Sequence, residues 1–357
     1  MARPDTARQS ITGHSAPAMP TIRPARLRLS HTAICFVILI VAVVFGVAMG
    51  AVALPPWGVF TELLGHIPGI HIHSGLTEVQ SAIVTQIRFP RVILGVLVGM
   101  LLAICGAAYQ GVFRNPLADP YLLGSASGAG LGATFAIAGG WGGALTPIAA
   151  FVGSLVAVAL TYLLGATGMR SGTATLILAG VAVTSFLTAI QTFVVQQNSD
   201  SLKQVYSWIL GKLSTTGWSE VLMILPYAVV SVGILLAYRR VLDVMALGDE
   251  EASALGMHPA RARILLIVAA SLGTAAAVSV SGLIGFVGII VPHLVRLICG
   301  HSYRSIIPLS ALVGGALLVI ADIAARMLLA PAEIPIGVVT AFLGAPFFLI
   351  LLRTSRR

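Results

Sequence analysis

Three histidines, His66, His71 and His73, lie close together in one stretch of the chain, and three cysteines, Cys35, Cys105 and Cys299, are scattered along it. Imidazole and thiolate ligate zinc, copper and haem iron, so these residues are the first place to look for metal chemistry. Their spacing argues against it. His71-x-His73 lacks the i, i+4 register of a helical metal pair, and the histidines read as solvated loop residues. The cysteines are odd in number, have no metal-ligand spacing and each fall inside an apolar run, where a thiol packs as a small hydrophobe. Phosphate chemistry is no better supported. Gly211-Lys212 has neither the upstream glycine nor the following Ser/Thr of a phosphate-cradling loop, and the chain has no H-E-x-x-H pair, no G-x-S-x-G elbow and no carboxylate pair inside an apolar run. The sequence therefore shows no catalytic residue, no resident cofactor and no metal site.

The remaining candidates are polar groups in an apolar chain. Arg88 and Arg91, three apart, share one face where a helix begins; by position they serve either as head-group anchors or as contacts for an external partner. Thr77 and Gln80 form a capping box for a preceding helix, with Val79, Ile83 and Ile87 as its buried stripe, and Pro90 ends that helix and starts the next. Asp322 and Arg326, four apart, are placed to pair on one helix. Thr184, Thr188, Gln191 and Thr192 share a helix face, either bonding back to their own helix or forming a polar lining. The segment 239–263 holds Asp243, Asp249, Glu250 and Glu251, four of the twelve acidic residues. Asp249 sits where an N-cap belongs, and Glu250 and Glu251 suit the positive end of a helix. Gly256 is a C-terminal stop, and Pro259 suits the first turn of a second short helix. Two short helices meeting at Gly256 make a compact knob; the alternative is a solvated turn.

The elements that position these groups follow from composition. The chain is 57% hydrophobic and 9% charged, against about 25% charged in a soluble domain, so it cannot cover a water-facing surface. A membrane helix needs roughly 20 apolar residues. Uncharged runs occupy 33–54, 92–113, 121–141, 144–165, 173–195, 221–237, 264–295, 305–321 and 334–352. At about 1.5 Å per residue the run 264–295 is too long for one crossing, and Ser279, Ser281, Gly282 and Gly285 suit a turn that splits it. The predicted fold class is all-α, with ten transmembrane helices. Of the 21 Lys and Arg residues, five (Arg88, Arg91, Lys203, Lys212 and Arg326) fall outside and the other sixteen inside when the N-terminus is placed in the cytoplasm, which puts both termini inside. Residues 1–30 read as a disordered basic tail and 31–357 as the membrane domain. The +9 net charge lies between apolar runs, a topology pattern rather than a nucleic-acid surface. Gly95-x-x-x-Gly99, Gly124-x-x-x-Gly128 and the series Gly128, Gly130, Gly132 and Gly282, Gly285, Gly288 read as close helix packing. The span centres lack Asp, Glu, Lys and Arg, which counts against an ion-coupled secondary transporter and leaves the energy to a partner.

Several segments, in order, resemble the permease subunits of ABC importers for iron siderophores, haem and vitamin B12. They are Arg88-Phe89-Pro90-Arg91; Arg114-Asn115-Pro116-Leu117-Ala118-Asp119-Pro120 with Leu123-Gly124 and Ser127-Gly128-Ala129; Leu178 to Ala182; Leu247-Gly248 to Leu255-Gly256; Gly285-Phe286-Val287-Gly288 leading to Pro292-His293 and Arg296; and Glu333-Ile334-Pro335-Ile336-Gly337-Val338 with Gly344-Ala345-Pro346. The resemblance implies a homodimer of ten-span subunits, two cytoplasmic ATP-binding subunits and an extracytoplasmic substrate-binding protein. It implies docking of that protein on Arg88, Arg91 and Arg326. It also implies contact with the ATPase through Asp249, Glu250, Glu251, Ala254, Leu255, Gly256 and His258, and a path lined by the helix of Thr184, Thr188, Gln191 and Thr192. The implied substrate is a ferric siderophore or related metal chelate, with haem or cobalamin as alternatives.

Overall fold

The computed structural model describes residues 29–50, 54–65, 74–166, 173–213 and 217–354. His66, His71, His73 and the basic tail up to Arg28 lie outside the described residues. Among the described residues all regular structure is helical. The elements are α1 (Leu29–Ala48), α2 (Pro56–Gly65), α3 (Glu78–Ala82), α4 (Phe89–Val112), α5 (Ser125–Ala138), α6 (Leu145–Ala166), α7 (Thr173–Gln197), α8 (Leu202–Ile209), α9 (Ser219–Ala237), α10 (Arg239–Met245), α11 (Asp249–Ala254), α12 (Pro259–Ser281), α13 (Val287–Cys299), α14 (Tyr303–Met327) and α15 (Ile336–Thr354). Among the described residues, seven helical stretches are long and apolar enough to cross a membrane: α1, Glu78–Val112, α6, α7, α9, α12 and α14. The other three apolar runs fold as shorter apolar helices: α5 with 14 residues, α13 with 13, and α15 with its apolar part Ile336–Ile350.

α4 is the axis of the bundle. Every residue from Leu101 to Val112 is buried, as expected of a helix that is apolar on all sides and surrounded by others. It packs against α14, α12, α13 and α9. Glycine makes two of these contacts possible: a Cβ on Gly99 would strike the Gly314 carbonyl of α14, and one on Gly106 would strike the Gly288 carbonyl of α13. Gly128 of α5 meets Gly153 of α6 in the same way.

Two expected boundaries shift and a third holds. The first apolar run forms a helix only as far as Ala48. The third begins at Ser125, because residues 121–124 belong to a turn in which Asp119 Oδ1 accepts the Tyr121 N–H (2.7 Å) and the Tyr121 hydroxyl donates to the Ile284 carbonyl (2.9 Å). The run 264–295 breaks as expected, α12 ending at Ser281 and α13 starting at Val287.

The largest correction concerns residues 77–90. The Thr77–Gln80 capping box is complete, but Pro90 does not break the helix. A π-helical turn, Ile83–Arg88, joins α3 to α4. In that wider register the Phe89 N–H reaches back to the Val84 carbonyl. The Thr85 carbonyl then faces Pro90, which has no N–H to give, and instead accepts the Trp218 indole N–H at 3.2 Å. The extra residue in the turn also rotates the buried face. Val84 and Arg88 point inward, whereas Val79 and Ile87, expected in the buried stripe, are exposed.

Candidate functional site

α4 spans about 36 Å at 1.5 Å per residue, and the arginines and the 239–263 residues singled out from the sequence lie at its two ends. Arg88 and Arg91 stand at its start, beside the C-terminal ends of α1 and α14. Arg88 is buried and donates from Nη1 to the Val47 and Ala48 carbonyls at 3.0 and 2.8 Å. Arg326 donates to the Met49 and Gly46 carbonyls at 2.7 and 2.8 Å. Between them the two guanidiniums occupy carbonyls at the end of α1, which have no partner within the helix and carry its negative dipole end. Asp322 pairs with Arg326 across one turn, Nε to Oδ2 2.9 Å, as its spacing predicts. It also accepts from Arg91, through Nε at 3.1 Å and Nη2 at 2.9 Å. Glu333 completes the cluster with a bidentate bond to Arg91, both distances 2.9 Å. The Arg91 hydrogen bonds hold the Glu333 carboxyl below its ordinary pKa despite partial burial. These five groups join α1, α4, α14 and the segment before α15.

At the opposite end lies the segment 239–263. α11 is a single short helix closed by Gly256 at φ +81°. The Gly256 N–H bonds to the Ser253 carbonyl (2.9 Å) and the Met257 N–H to the Ala252 carbonyl (3.1 Å), the paired closure that needs a left-handed residue. Two expectations are corrected. Asp249 is not the N-cap; Gly248 holds that position. The Asp249 carboxylate instead takes both oxygens to Arg263 Nη2, at 2.9 and 2.8 Å, and lies 3.6 Å from Arg114, because an ion pair with the next helix is available to it. The helix after Gly256 is not short either: it is α12, a full span starting at Pro259. The knob is therefore one helical turn clamped onto a membrane helix. Glu250, Glu251, Ala254, Leu255, Gly256 and His258 are exposed, and Ala252 alone of α11 is buried. Asp243 anchors the other side, accepting the Tyr303 N–H and the Ser302 hydroxyl at the start of α14.

The α7 residues divide. Gln191 turns into the protein and donates to Thr134 of α5 at 3.1 Å, and Thr184 lies against Gly124. Thr188 and Thr192 are exposed, with the Thr192 hydroxyl bonded back to the Thr188 carbonyl at 2.9 Å. The four straddle the boundary between the packed and open faces of the helix.

Among known proteins, the sequence from residue 38 to residue 354 matches the FecCD transport family. The chain belongs to that family. It is 44% identical to the cobalamin import system permease protein BtuC of Halobacterium salinarum over 79% of this chain and 76% of the other. It is 40% identical to the hemin transport system permease protein HmuU of Yersinia pestis over 76% and 83% of the two chains. A solved structure described as an inward-facing metal-chelate type ABC transporter superposes with TM-score 0.80 at 29% identity, covering 91% of this chain and 99% of that one. As a FecCD chain, the protein is a multi-pass membrane permease subunit of a binding-protein-dependent importer. Its ATPase and binding-protein partners are implied by that membership.

Within this FecCD chain, sequence reasoning missed three long-range partners. Glu333 and Asp322 meet Arg91 from more than 230 residues away. Buried Gln110 donates to the Gly288 and Ala118 carbonyls and accepts from Arg296 Nη2, tying the end of α4 to α13. Only the presence of Glu333 and Arg296 within the segments that resemble the permease family marked them out beforehand.

Proposed function

We propose that this permease moves a ferric siderophore or related metal chelate into the cytoplasm as a homodimer, with haem and cobalamin as the competing substrates. Each subunit crosses the membrane ten times, α5, α13 and α15 included, with both termini inside and residues 31–357 forming one membrane domain. The binding protein docks at the arginine end, the ATPase grips the segment 239–263, and the chelate passes along α7. Support for the substrate class comes from relatives named for cobalamin and hemin import and from the solved metal-chelate type transporter. The observation that carries the coupling reading is the knob. Its exposed tips, Leu247 at 63% and Leu255 at 66%, are apolar, and its frame is clamped through Arg263 to α12. A partner cleft that closed on Leu255 would move a membrane helix directly.

Reconstitution with the cognate ATPase and binding protein in proteoliposomes tests this. Ferric siderophore-dependent uptake and stimulated ATP hydrolysis are expected. Stimulation by haem or cobalamin alone would overturn the substrate assignment. A reporter fused after Arg357 that is active only on the periplasmic side would overturn the topology.

A further inference from the structure

The three arginines at the start of α4 and the end of α14 are not equivalent. Arg88 and Arg326 spend their donors on the α1 carbonyls and, for Arg326, on Asp322. Arg91 has two differently placed edges. Its inner edge, Nε and Nη2, holds Asp322, which is 2% exposed. Its outer edge, Nη1 and Nη2, holds both oxygens of Glu333, which is 52% exposed. Glu333 sits in a segment folded against α14 by the Ile334 N–H to Ala325 carbonyl bond of 2.9 Å. The Arg91–Glu333 geometry is the fork-to-fork arrangement by which an arginine recognises a carboxylate from another molecule.

We infer that Glu333 is a built-in competitor for docking: an acidic side chain of the binding protein takes the outer edge of Arg91 by displacing Glu333, while Asp322 keeps the guanidinium aimed outward. This rests on the reading of this end as the docking surface. One partly exposed ion pair is exchanged for another, so the exchange is close to neutral. Affinity is thereby held down and the binding protein released after delivery. Three cations against two carboxylates leave the cluster one net positive charge per subunit. Neutralising Glu333 doubles it, which raises the encounter rate with an acidic partner most at low salt.

The test uses the full permease with its ATPase in nanodiscs and measures the dissociation constant for the cognate binding protein. Glu333→Gln is expected to tighten binding about twofold to fivefold per subunit, as expected for removing one exposed ion pair, with the gain shrinking as salt rises. Glu333→Asp, which keeps the charge but is one methylene shorter, should fall between the two. Monodisperse gel filtration of both variants confirms folding. Unchanged or weaker binding with Glu333→Gln, while Arg91→Gln weakens it, overturns the competitor and leaves arginine docking standing. If Arg91→Gln, too, leaves affinity unchanged at low salt, docking on Arg91 itself is overturned.

Discussion

The arginine end and the knob end of the bundle use charge in opposite ways. At the arginine end the ions beneath the exposed Glu333 are buried or nearly so and shared: Asp322 serves two arginines, and Arg88 and Arg326 finish another helix. At the knob end one half-exposed carboxylate, Asp249, holds one helical turn to α12, and the outward surface is left to acidic residues and two leucines. Apart from the exposed Glu333, the first is a frame that cannot lose a member without stranding a buried charge. The second is a small module whose shape comes from backbone hydrogen bonds and whose surface is open to a partner. The contrast predicts that substitutions of the buried ions at the arginine end act on stability first, and those at the knob on assembly first.

The largest effect should come from Asp322→Ala. It leaves Arg91 and Arg326 without their buried counter-charge, a loss of about 3–5 kcal/mol, seen as a large drop in the temperature at which the detergent-solubilised protein aggregates. An unchanged midpoint would dissolve the distinction between frame and module. Next is Leu255→Asp. The side chain is exposed, so the melting temperature should hold while ATPase co-purification and transport fall by tenfold or more.

Gly256→Val should cost about 1–2 kcal/mol, because a β-branched residue is forced to φ +81°. Beyond its own chain neighbours no atom lies within 4 Å of where its Cβ would sit, so the cost comes from the local backbone conformation and not from a clash with packed neighbours. Gly256→Asn, tolerant of this backbone region, should keep most ATPase assembly; equal loss in both variants would point to a surface contact at Gly256 instead.

The smallest effect concerns pH. The folded-state pKa of Glu333 is lowered by Arg91. Its contribution to stability is therefore present above the unfolded carboxylate value of about 4.3 and lost as pH falls through the lower folded value. The thermal midpoints of wild type and Glu333→Gln should differ slightly at pH 7 and converge as pH falls below the folded value. A gap that persists in acid would mean that Glu333 acts without its charge.

The sequence by itself determined what is local. The apolar runs became helices, the Thr77–Gln80 capping box closed, the 264–295 run broke after Ser281, and Gly256 took the left-handed turn. Each depends on hydrogen bonds and dihedrals within about six residues. Asp322 and Arg326 paired for the same reason. Tertiary structure decided the rest. Whether Pro90 ended a helix depended on whether Trp218 was there to take the stranded Thr85 carbonyl. Whether Asp249 capped α11 or bridged to Arg263 depended on where α12 set off. Which arginine kept an exchangeable edge depended on α1 ending beside Arg88 and Arg326, and on Glu333 folding back over Arg91. A charged side chain pairs with whatever packing brings within about 3 Å, and residues more than 230 positions apart carry no mark of that proximity in their order along the chain.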